Sequence, residues 1–226
     1  MTSNAARRFV TDLFTVIFGI TLLLILAFPF IWVVLISIVT AYGFSRHRTF
    51  RGRQVLLILV IATQLFPFVI LITPLYATFF RLGLINNPLS LVISYIAVNL
   101  PFAIYMLLGY LDTIPRELDE AARIDGANVL QIIFRVILPV AWPGVVTVAV
   151  YAFVSAWDEF LFALTLMTSD ENKTVPVGLA GFFGEYTTQW NLVMTASVIS
   201  TLPTLVLFMF LQKKLVSDLA AGSIKQ

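Results

Sequence analysis

Leu89 to Leu111 reads LSLVISYIAVNLPFAIYMLLGYL, a stretch of 23 residues without a charged side chain. An α-helix rises about 1.5 Å per residue, so a helix of this length crosses the roughly 30 Å of hydrocarbon in a bilayer. Three further apolar stretches reach that length: Val55–Phe80, Val140–Met167 and Leu192–Leu211. None of the four shows the alternation of a barrel strand. The sequence therefore predicts an all-α bundle of membrane-spanning helices.

The composition leads to the same prediction. Of the 226 residues, 60% are hydrophobic and only 12% are charged, against roughly 45–50% and 25% in a soluble domain. The mean hydropathy is +0.97. With about 20 apolar residues needed for each span, the chain holds about five or six spans and little else. We therefore treat residues 1–226 as a single transmembrane domain.

Several kinds of site are excluded by residue types that are rare or absent. The chain has no cysteine, which removes disulfides and thiolate chemistry. Its one histidine, His47, lies between Arg46 and Arg48, which would repel a cation. No Gly-Lys pair exists to form a phosphate-binding P-loop, and a net charge of +2 is too small to indicate nucleic acid. The sequence offers no candidate catalytic residue and no metal site.

The basic residues predict the orientation of the spans. If the spans alternate, ten Lys and Arg residues fall on one face and two on the other. The rich face carries Arg46, Arg48, Arg51, Arg53, Arg116, Arg123, Arg135, Lys213, Lys214 and Lys225, and the poor face carries Arg81 and Lys173. Positive charge accumulates on the cytoplasmic side of membrane proteins. We therefore expect the rich face, including the C-terminus, to be cytoplasmic.

The first apolar stretch does not fit this alternation. Phe9–Gly43 contains 35 residues, with Asp12 near its start, whereas one span needs about 20 and two need about 40 plus a turn. Arginines both before and after it favour the cytoplasmic side. Pro29 could kink this stretch without making it a hairpin. Whether one or two spans form here stays open at this point.

The longest charged segment, residues 112–128, reads DTIPRELDEAARIDGAN. Pro115 suits the first position of a helix, and the acidic residues that follow suit its positive N-terminal end. Gly126 can adopt the left-handed conformation that ends a helix. Asn128 and Gln131 have the spacing of a capping box for a second helix, which we expect to stop at Pro139. The segment is either an ordinary surface loop or a docking surface for a soluble partner.

The spacing of Glu120-Ala121-Ala122, Gly126, Val136 and Leu138-Pro139 resembles the EAA loop of bacterial ATP-binding-cassette (ABC) importer permeases. Other stretches resemble the carbohydrate branch of these inner-membrane subunits, the maltose type in particular. They are Leu82–Asn87, Pro101–Ile104, Ile114–Leu118, Ala156–Phe160 and Val175–Leu179. The resemblance covers residues from about 40 to 226, together with a first span like Phe14–Ser37.

The resemblance implies a transport function in the bacterial cytoplasmic membrane. Residues 112–139 would form the cytoplasmic coupling loop that seats in a cleft of a separate ATPase dimer, so that ATP and Mg²⁺ bind to the partner and not to this chain. A second permease and an extracytoplasmic sugar-binding protein would complete the importer, surrounded by membrane lipids. The residues implicated in coupling are Glu120, Ala121, Ala122, Asp125, Gly126, Leu138 and Pro139.

The resemblance also implies that the chain is internally shortened. The family usually has six spans, with a sizeable external segment after the residues that match Leu35-Ile36-Ser37. Here Ile38–Phe44, which resembles the end of the second span, follows directly. The chain thus shows five clear apolar segments against six in the family. A shortened subunit that keeps the docking loop without transporting is therefore an alternative function.

Polar side chains within the apolar stretches are candidates for the translocation pathway. They are Gln64, Asn99, Asp158 and Glu159. Ionisable groups at membrane depth usually face an interior or a water-filled path, but Asp158 and Glu159 could equally cap or hydrate a helix end. Trp157 and Trp190 could stack on sugars, although tryptophan more often anchors a helix at the interface. A self-sufficient secondary transporter is the third hypothesis, but no inverted repeat supports it.

Overall fold

The computed structural model describes residues 28–184 and 188–222 of the chain. Within these residues the chain is helical, and the only strand-like pairing is one isolated bridge between Phe183 and Thr188. This confirms the predicted all-α class. The helices are α1 (Phe28–Arg46), α2 (Arg53–Ala62), α3 (Phe68–Arg81), α4 (Pro88–Leu111), α5 (Glu117–Ile124), α6 (Val129–Val140), α7 (Trp142–Trp157), α8 (Leu161–Leu166), α9 (Val175–Ala180) and α10 (Trp190–Gly222).

Three helical segments are each long and apolar enough to cross a membrane. They are α1, α4 and the Trp190–Met209 part of α10. Two further candidates are broken spans, one made by α2 with α3 and the other by α6 with α7. The described residues thus contain up to five spans, which agrees with the five apolar segments in the sequence.

The predicted span Val55–Phe80 is not one continuous helix. After α2 a 3₁₀ turn covers Thr63–Leu65, and Phe66 and Pro67 then adopt extended backbone before α3 begins. Proline cannot donate a backbone hydrogen bond. The break therefore occurs at Pro67, where a continuous helix would lack one of its backbone hydrogen bonds. Pro74 and Pro101, by contrast, lie inside α3 and α4, which continue through them.

The predicted stop at Pro139 is wrong by one residue, and the predicted span Val140–Met167 is divided. Within α6, Ile132–Ile137 forms a π-helix, and Pro139 then lies in the first turn of the short α-helical segment Leu138–Val140. Because Pro139 has no backbone N–H to donate to the preceding turn, the helix ends at the next residue, Val140. The chain then bends by 84° before α7, and α7 ends at Trp157, before the shorter α8.

The segment that the sequence left open is one helix wherever it is described. α1 continues from Phe28 to Arg46 without a break at Ser37-Ile38, and both of these residues are fully buried. The predictions for residues before Phe28, including Asp12 and the start of the Phe14–Ser37 span, lie outside the described residues. So does the end of the basic tail, residues 223–226.

The helices form two compact units. The first takes residues up to Ile61 and then Tyr95–Ala149, and its most deeply buried side chains come from α1, α4 and α6. They include Ile38, Leu107, Leu111, Ile132, Ile133 and Ile137. The second unit takes Ala62–Ser94 and the residues from Val150 onward. There α3 packs against α8, and α9 packs against α10.

Asn86 fastens two loops of the second unit together. Its backbone lies in the left-handed region, with φ of 61°. Its side-chain oxygen accepts hydrogen bonds from the backbone amides of Thr168 (3.1 Å) and Ser169 (3.0 Å), and from the Ser169 hydroxyl. Its backbone carbonyl accepts another from the Asn172 side chain. One asparagine thus joins the turn after α3 to the loop after α8.

We expect Asn86→Ala to destabilise the chain by about 1–3 kcal/mol, because it loses the accepted hydrogen bonds and leaves a non-glycine residue in a left-handed conformation. Asn86→Gly is the matched control, since it removes the side chain but relieves the backbone. In thermal unfolding in lipid nanodiscs, the wild type should have the highest melting temperature, the Gly variant an intermediate one and the Ala variant the lowest. Equal melting temperatures for all three would contradict this role of Asn86.

Candidate functional site

The segment between α4 and α7 begins with a short helix that is acidic at its start. α5 runs from Glu117 to Ile124 and has three acidic residues in its first turn. Negative side chains stabilise the positive end of a helix, as the sequence predicted. Pro115 lies two residues before the helix rather than at its first position, and Arg116 occupies the N-cap.

A tight turn separates α5 from α6. Gly126 has φ of 81°, which only glycine adopts readily, and Asp125 is the C-cap of α5. The Asn128 side chain accepts a hydrogen bond from the Gln131 amide, and the Gln131 side chain accepts one from the Asn128 amide, both at 2.9 Å. The predicted glycine turn and capping box are therefore confirmed. The turn fixes the direction in which α6 leaves α5.

The two helices leave a group of apolar side chains exposed next to a carboxylate. On α5, Glu120 and Ala121 are exposed, and Ile124 is 86% exposed. On α6, Val129 and Leu130 are more than half exposed. We call these five residues the outer surface of the segment. Glu120 and Ile124 are one helical turn apart and so lie on one face of α5, and exposed apolar side chains close to a charge are typical of a docking surface.

The opposite side of α5 faces the protein. Asp119 and Ala122 are buried there, and α5 packs against the π-helical part of α6. The expectation that both Ala121 and Ala122 open the surface to a partner therefore applies only to Ala121 in this structure. The small side chain of Ala122 instead permits close packing within the chain.

A shallow groove of about 340 Å³ lies beside the turn. It is lined by Ala122, Asp125, Gly126, Ala127, Gln131, Arg135 and Val136. Leu138 and Pro139 lie beyond this groove at the end of α6, Leu138 half-buried and Pro139 exposed. Five of the seven residues implicated in coupling thus lie on α5 or in its terminal turn, and the other two lie before the 84° bend.

Asp112 ties the start of the segment to the loop after α1. Its carboxylate accepts a hydrogen bond from the Ser45 hydroxyl at 2.7 Å and pairs with Arg48 at 2.9 Å. Partial burial on its own would raise the pKa of Asp112, but the Ser45 hydroxyl and the Arg48 and Arg53 guanidinium groups outweigh it, so the pKa lies below its usual value. Asp112 is therefore ionised at neutral pH and holds its partners.

The candidate pathway residues have different surroundings. Gln64 is half-buried in the 3₁₀ turn at the break of the second span. Asn99 is buried in α4; its amide donates to the Tyr95 carbonyl, and its side-chain oxygen has no hydrogen-bond partner among the described residues. Irregular backbone and unpaired polar atoms at membrane depth are usually found facing protein or water.

Asp158 and Glu159 lie in the break between α7 and α8. Both oxygens of Glu159 accept hydrogen bonds from backbone amides at the start of α8, from Phe162 at 2.7 Å and from Ala163 at 3.1 Å. This geometry corresponds to the capping alternative. Asp158 is exposed.

The two tryptophans also differ. Trp157 stacks on Phe153, and its indole nitrogen donates to the Ser200 carbonyl at 3.0 Å, so its polar atom is engaged in packing between helices. Trp190 is 60% exposed at the start of α10.

Residues 6–220 match the family described as the binding-protein-dependent transport system inner membrane component. The chain belongs to this family. It is the permease subunit of a binding-protein-dependent ABC importer in the inner membrane.

Named relatives are similar to the permease over most of its own length and about two thirds of theirs. It is 37% identical over 192 residues to the sulfoquinovosyl glycerol transport system permease protein SmoH of Agrobacterium fabrum, covering 85% of this chain and 67% of SmoH. It is 39% identical over 191 residues to the trehalose/maltose transport system permease protein MalG of Thermococcus litoralis, covering 84% and 68%. A solved bacterial ABC transporter that imports alginate, an acidic polysaccharide, matches with a TM-score of 0.64 at 25% identity, covering 82% of this chain and 72% of that one.

Sequence reasoning missed one cluster of buried polar residues in the permease. Tyr42 and Arg46 at the end of α1 contact Asp119 on the inner side of α5. A signal was present, because Asp119 lies three residues before Ala122 and therefore shares the inner face of α5 with it. The partner of that carboxylate, 73 positions earlier in the chain, could not be read from spacing.

Proposed function

We propose that the permease translocates a sugar or oligosaccharide into the cytoplasm. In this proposal an extracytoplasmic binding protein delivers the sugar, a second permease completes the path, and a separate ATPase dimer hydrolyses ATP. The names of its relatives support a carbohydrate substrate, because they specify sulfoquinovosyl glycerol and trehalose or maltose. The basic residues support a cytoplasmic position for residues 112–139 and for the C-terminus.

The exposure of Ile124 carries the docking part of this proposal. A side chain of this size stabilises a complex by about 1.5–3 kcal/mol when it moves from water into an apolar pocket. At 86% exposure Ile124 has nearly its whole surface available. Glu120, one helical turn earlier, adds a carboxylate that can pair with a basic side chain of the ATPase. Ala121 lets the partner approach the helix closely.

Coupling would follow from rigidity. ATP closes the ATPase dimer, the outer surface moves with it, and the capped Gly126 turn transmits the movement into α6 and α7.

Within the spans, Asn99 offers an unpaired oxygen and Gln64 an amide that can exchange hydrogen bonds with sugar hydroxyls. Each of these is a proposal for the pathway of this permease.

The proposal is tested by Gly126→Asp, with Gly83→Asp as its control. Both glycines have positive φ, 81° and 68°, and an added Cβ meets nothing within 4 Å at either position. The backbone strain is therefore similar, but only Gly126 lies in the turn between the two helices that carry the outer surface. We expect Gly126→Asp to reduce capture of the ATPase by about tenfold and to abolish sugar-stimulated ATP hydrolysis, while Gly83→Asp retains both.

Unchanged capture and hydrolysis in Gly126→Asp would refute the coupling role of this turn. Equal losses in both variants would mean that the effect is general destabilisation.

A second candidate function is a subunit that docks the ATPase without transporting. Two observations favour it: α1 is continuous through Ser37-Ile38, and the matched residues make up only 67–68% of the relatives SmoH and MalG. Sugar uptake into vesicles that contain the whole complex separates the two. Uptake that depends on ATP supports transport, whereas capture of the ATPase without any uptake supports the docking subunit.

A further inference from the structure

A buried ion pair joins α1 to the inner side of α5. Arg46 Nη2 and Asp119 Oδ2 are 2.9 Å apart, and each side chain is 6% exposed. The other two ion pairs within residues 28–184 and 188–222, Arg48–Asp112 and Lys173–Asp170, are at the surface. Neither facing atom of the buried pair has well-aligned hydrogen-bond geometry, so the contact is mainly Coulombic.

Both members of the pair hold additional partners. The Tyr42 hydroxyl donates to Asp119 Oδ1 at 2.6 Å, and the Arg46 guanidinium lies 5.8 Å from the centre of the Tyr42 ring. Arg46 Nη1 also donates to the carbonyls of Leu111 (3.3 Å) and Ile114 (3.2 Å). One arginine therefore connects three pieces of chain: the end of α1, the end of α4 with its following turn, and α5.

Two contacts at the edge of this cluster reinforce it. Ser45 donates to Asp112 at 2.7 Å, and Arg116, the N-cap of α5, donates to the Ser45 carbonyl at 3.1 Å. Both of these hydrogen bonds join α1 to the segment that starts at Asp112. The far end of α5, by contrast, continues into α6 through the glycine turn.

Stability alone does not account for such a pair. Replacing a buried ion pair by packed apolar groups is often neutral or stabilising, whereas removing one partner is costly. The cluster around the pair provides a fixed geometry, because the planar guanidinium of Arg46 also donates from Nη1 to two backbone carbonyls in set directions. A rigid connection is useful where a force has to be transmitted.

We propose that Arg46 and Asp119 form a joint that makes α1 and α5 move as one rigid body when the ATPase moves the outer surface. This proposal rests on the function proposed above. Arg46, Tyr42 and Asp119 are positioning residues in it, since they lie on the inner side of α5 and are not exposed to a partner. Movement of α5 then moves the first described span directly, in addition to the route through α6.

The main test is Asp119→Asn, which keeps the shape and the acceptor for Tyr42 but removes the charge. The control is Glu117→Gln, the same charge change at an exposed position on the same helix. In the reconstituted complex we expect Asp119→Asn to hydrolyse ATP while sugar transported per ATP falls about fivefold to tenfold. Glu117→Gln should keep the wild-type ratio. An unchanged ratio in Asp119→Asn overturns the joint.

A second measurement decides the matter if Asp119→Asn fails to assemble. Because the chain has no cysteine, Ser45→Cys at the end of α1 and Arg116→Cys at the N-cap of α5, two positions that contact each other through the Ser45 carbonyl, can be bridged by a bifunctional thiol reagent. If α1 and α5 move together, the bridged complex transports as well as the unbridged one, with each single variant as control. If bridging blocks transport, the two helices separate during the cycle and the joint is wrong.

Failure of the proposed function is recognised separately. If the wild-type chain captures no ATPase, the docking proposal fails, and the joint is then tested in the chain alone. Melting of Arg46→Gln, Asp119→Asn and the double variant in nanodiscs forms a double-mutant cycle. Non-additive shifts support the joint, and additive shifts overturn it.

Discussion

Ile124→Asp is expected to reduce binding of the ATPase by about thirtyfold or more while leaving the melting temperature of the chain unchanged. Truncating or charging an apolar anchor at the centre of an interface typically costs about 2–4 kcal/mol of binding free energy. Ile124 is 86% exposed in the described chain, so the substitution removes almost no internal contact. Its penalty appears only when a partner covers the position. The measurement is an affinity titration with the ATPase, together with thermal unfolding of the chain alone.

Leu82→Asp is the matched control for this prediction. Leu82 is also an exposed aliphatic residue, 63% accessible at the end of α3, but the charge pattern assigns its turn to the opposite face. We expect it to bind the ATPase normally. Ile124→Ala should give an intermediate loss, since it removes apolar surface without adding charge. Normal binding by Ile124→Asp would exclude the outer surface as the docking site.

The α5–α6 turn was predictable because its signals are local. The acidic first turn, the glycine at a left-handed position and the Asn128–Gln131 capping box each depend on residues within four positions of one another. Local electrostatics and backbone geometry determine such features, and the structure reproduces them. The helical state of the long apolar stretches was similarly predictable, because it depends on counting apolar residues against bilayer thickness.

The breaks in the spans were less predictable. Three prolines occur within the second and third apolar stretches, yet only Pro67 coincides with a break. A proline removes one hydrogen bond, and whether the helix continues depends on which neighbours satisfy the freed carbonyl. That choice is made by tertiary packing. The π-helical turn within α6 has no local signature in the sequence either.

The buried partner of Asp119 illustrates the same limit within the candidate site. Periodicity separates the inner and outer faces of α5, but it does not identify which distant residue meets the inner one. For Ala122, the spacing of the family motif suggested a surface role, whereas the helix places the residue inside. The residues proposed to contact partners are thus partly predictable from the sequence. The distant residues that hold α5 in position are not.

Gly144→Ala is expected to destabilise the chain by about 1–3 kcal/mol, because it forces a methyl group into a filled space. A Cβ at position 144 would lie 2.7, 3.0 and 3.1 Å from three ring carbons of Tyr110. These distances are well inside van der Waals contact. The ring or the helix backbone must therefore shift. Small residues allow membrane helices to approach closely, and Gly144 provides that space for α7 against α4.

Gly109→Ala gives this prediction a control with the opposite sign. Gly109 is adjacent to Tyr110 in α4, and an added Cβ there meets nothing within 4 Å. Alanine is favoured over glycine inside a helix by about 0.5–1 kcal/mol, so Gly109→Ala should raise the melting temperature slightly. In a Tyr110→Ala background, which lacks the three ring carbons that the added Cβ would meet, Gly144→Ala should cost little further stability. If Gly144→Ala and Gly109→Ala shift the melting temperature equally, contact with Tyr110 is not what requires a glycine at position 144.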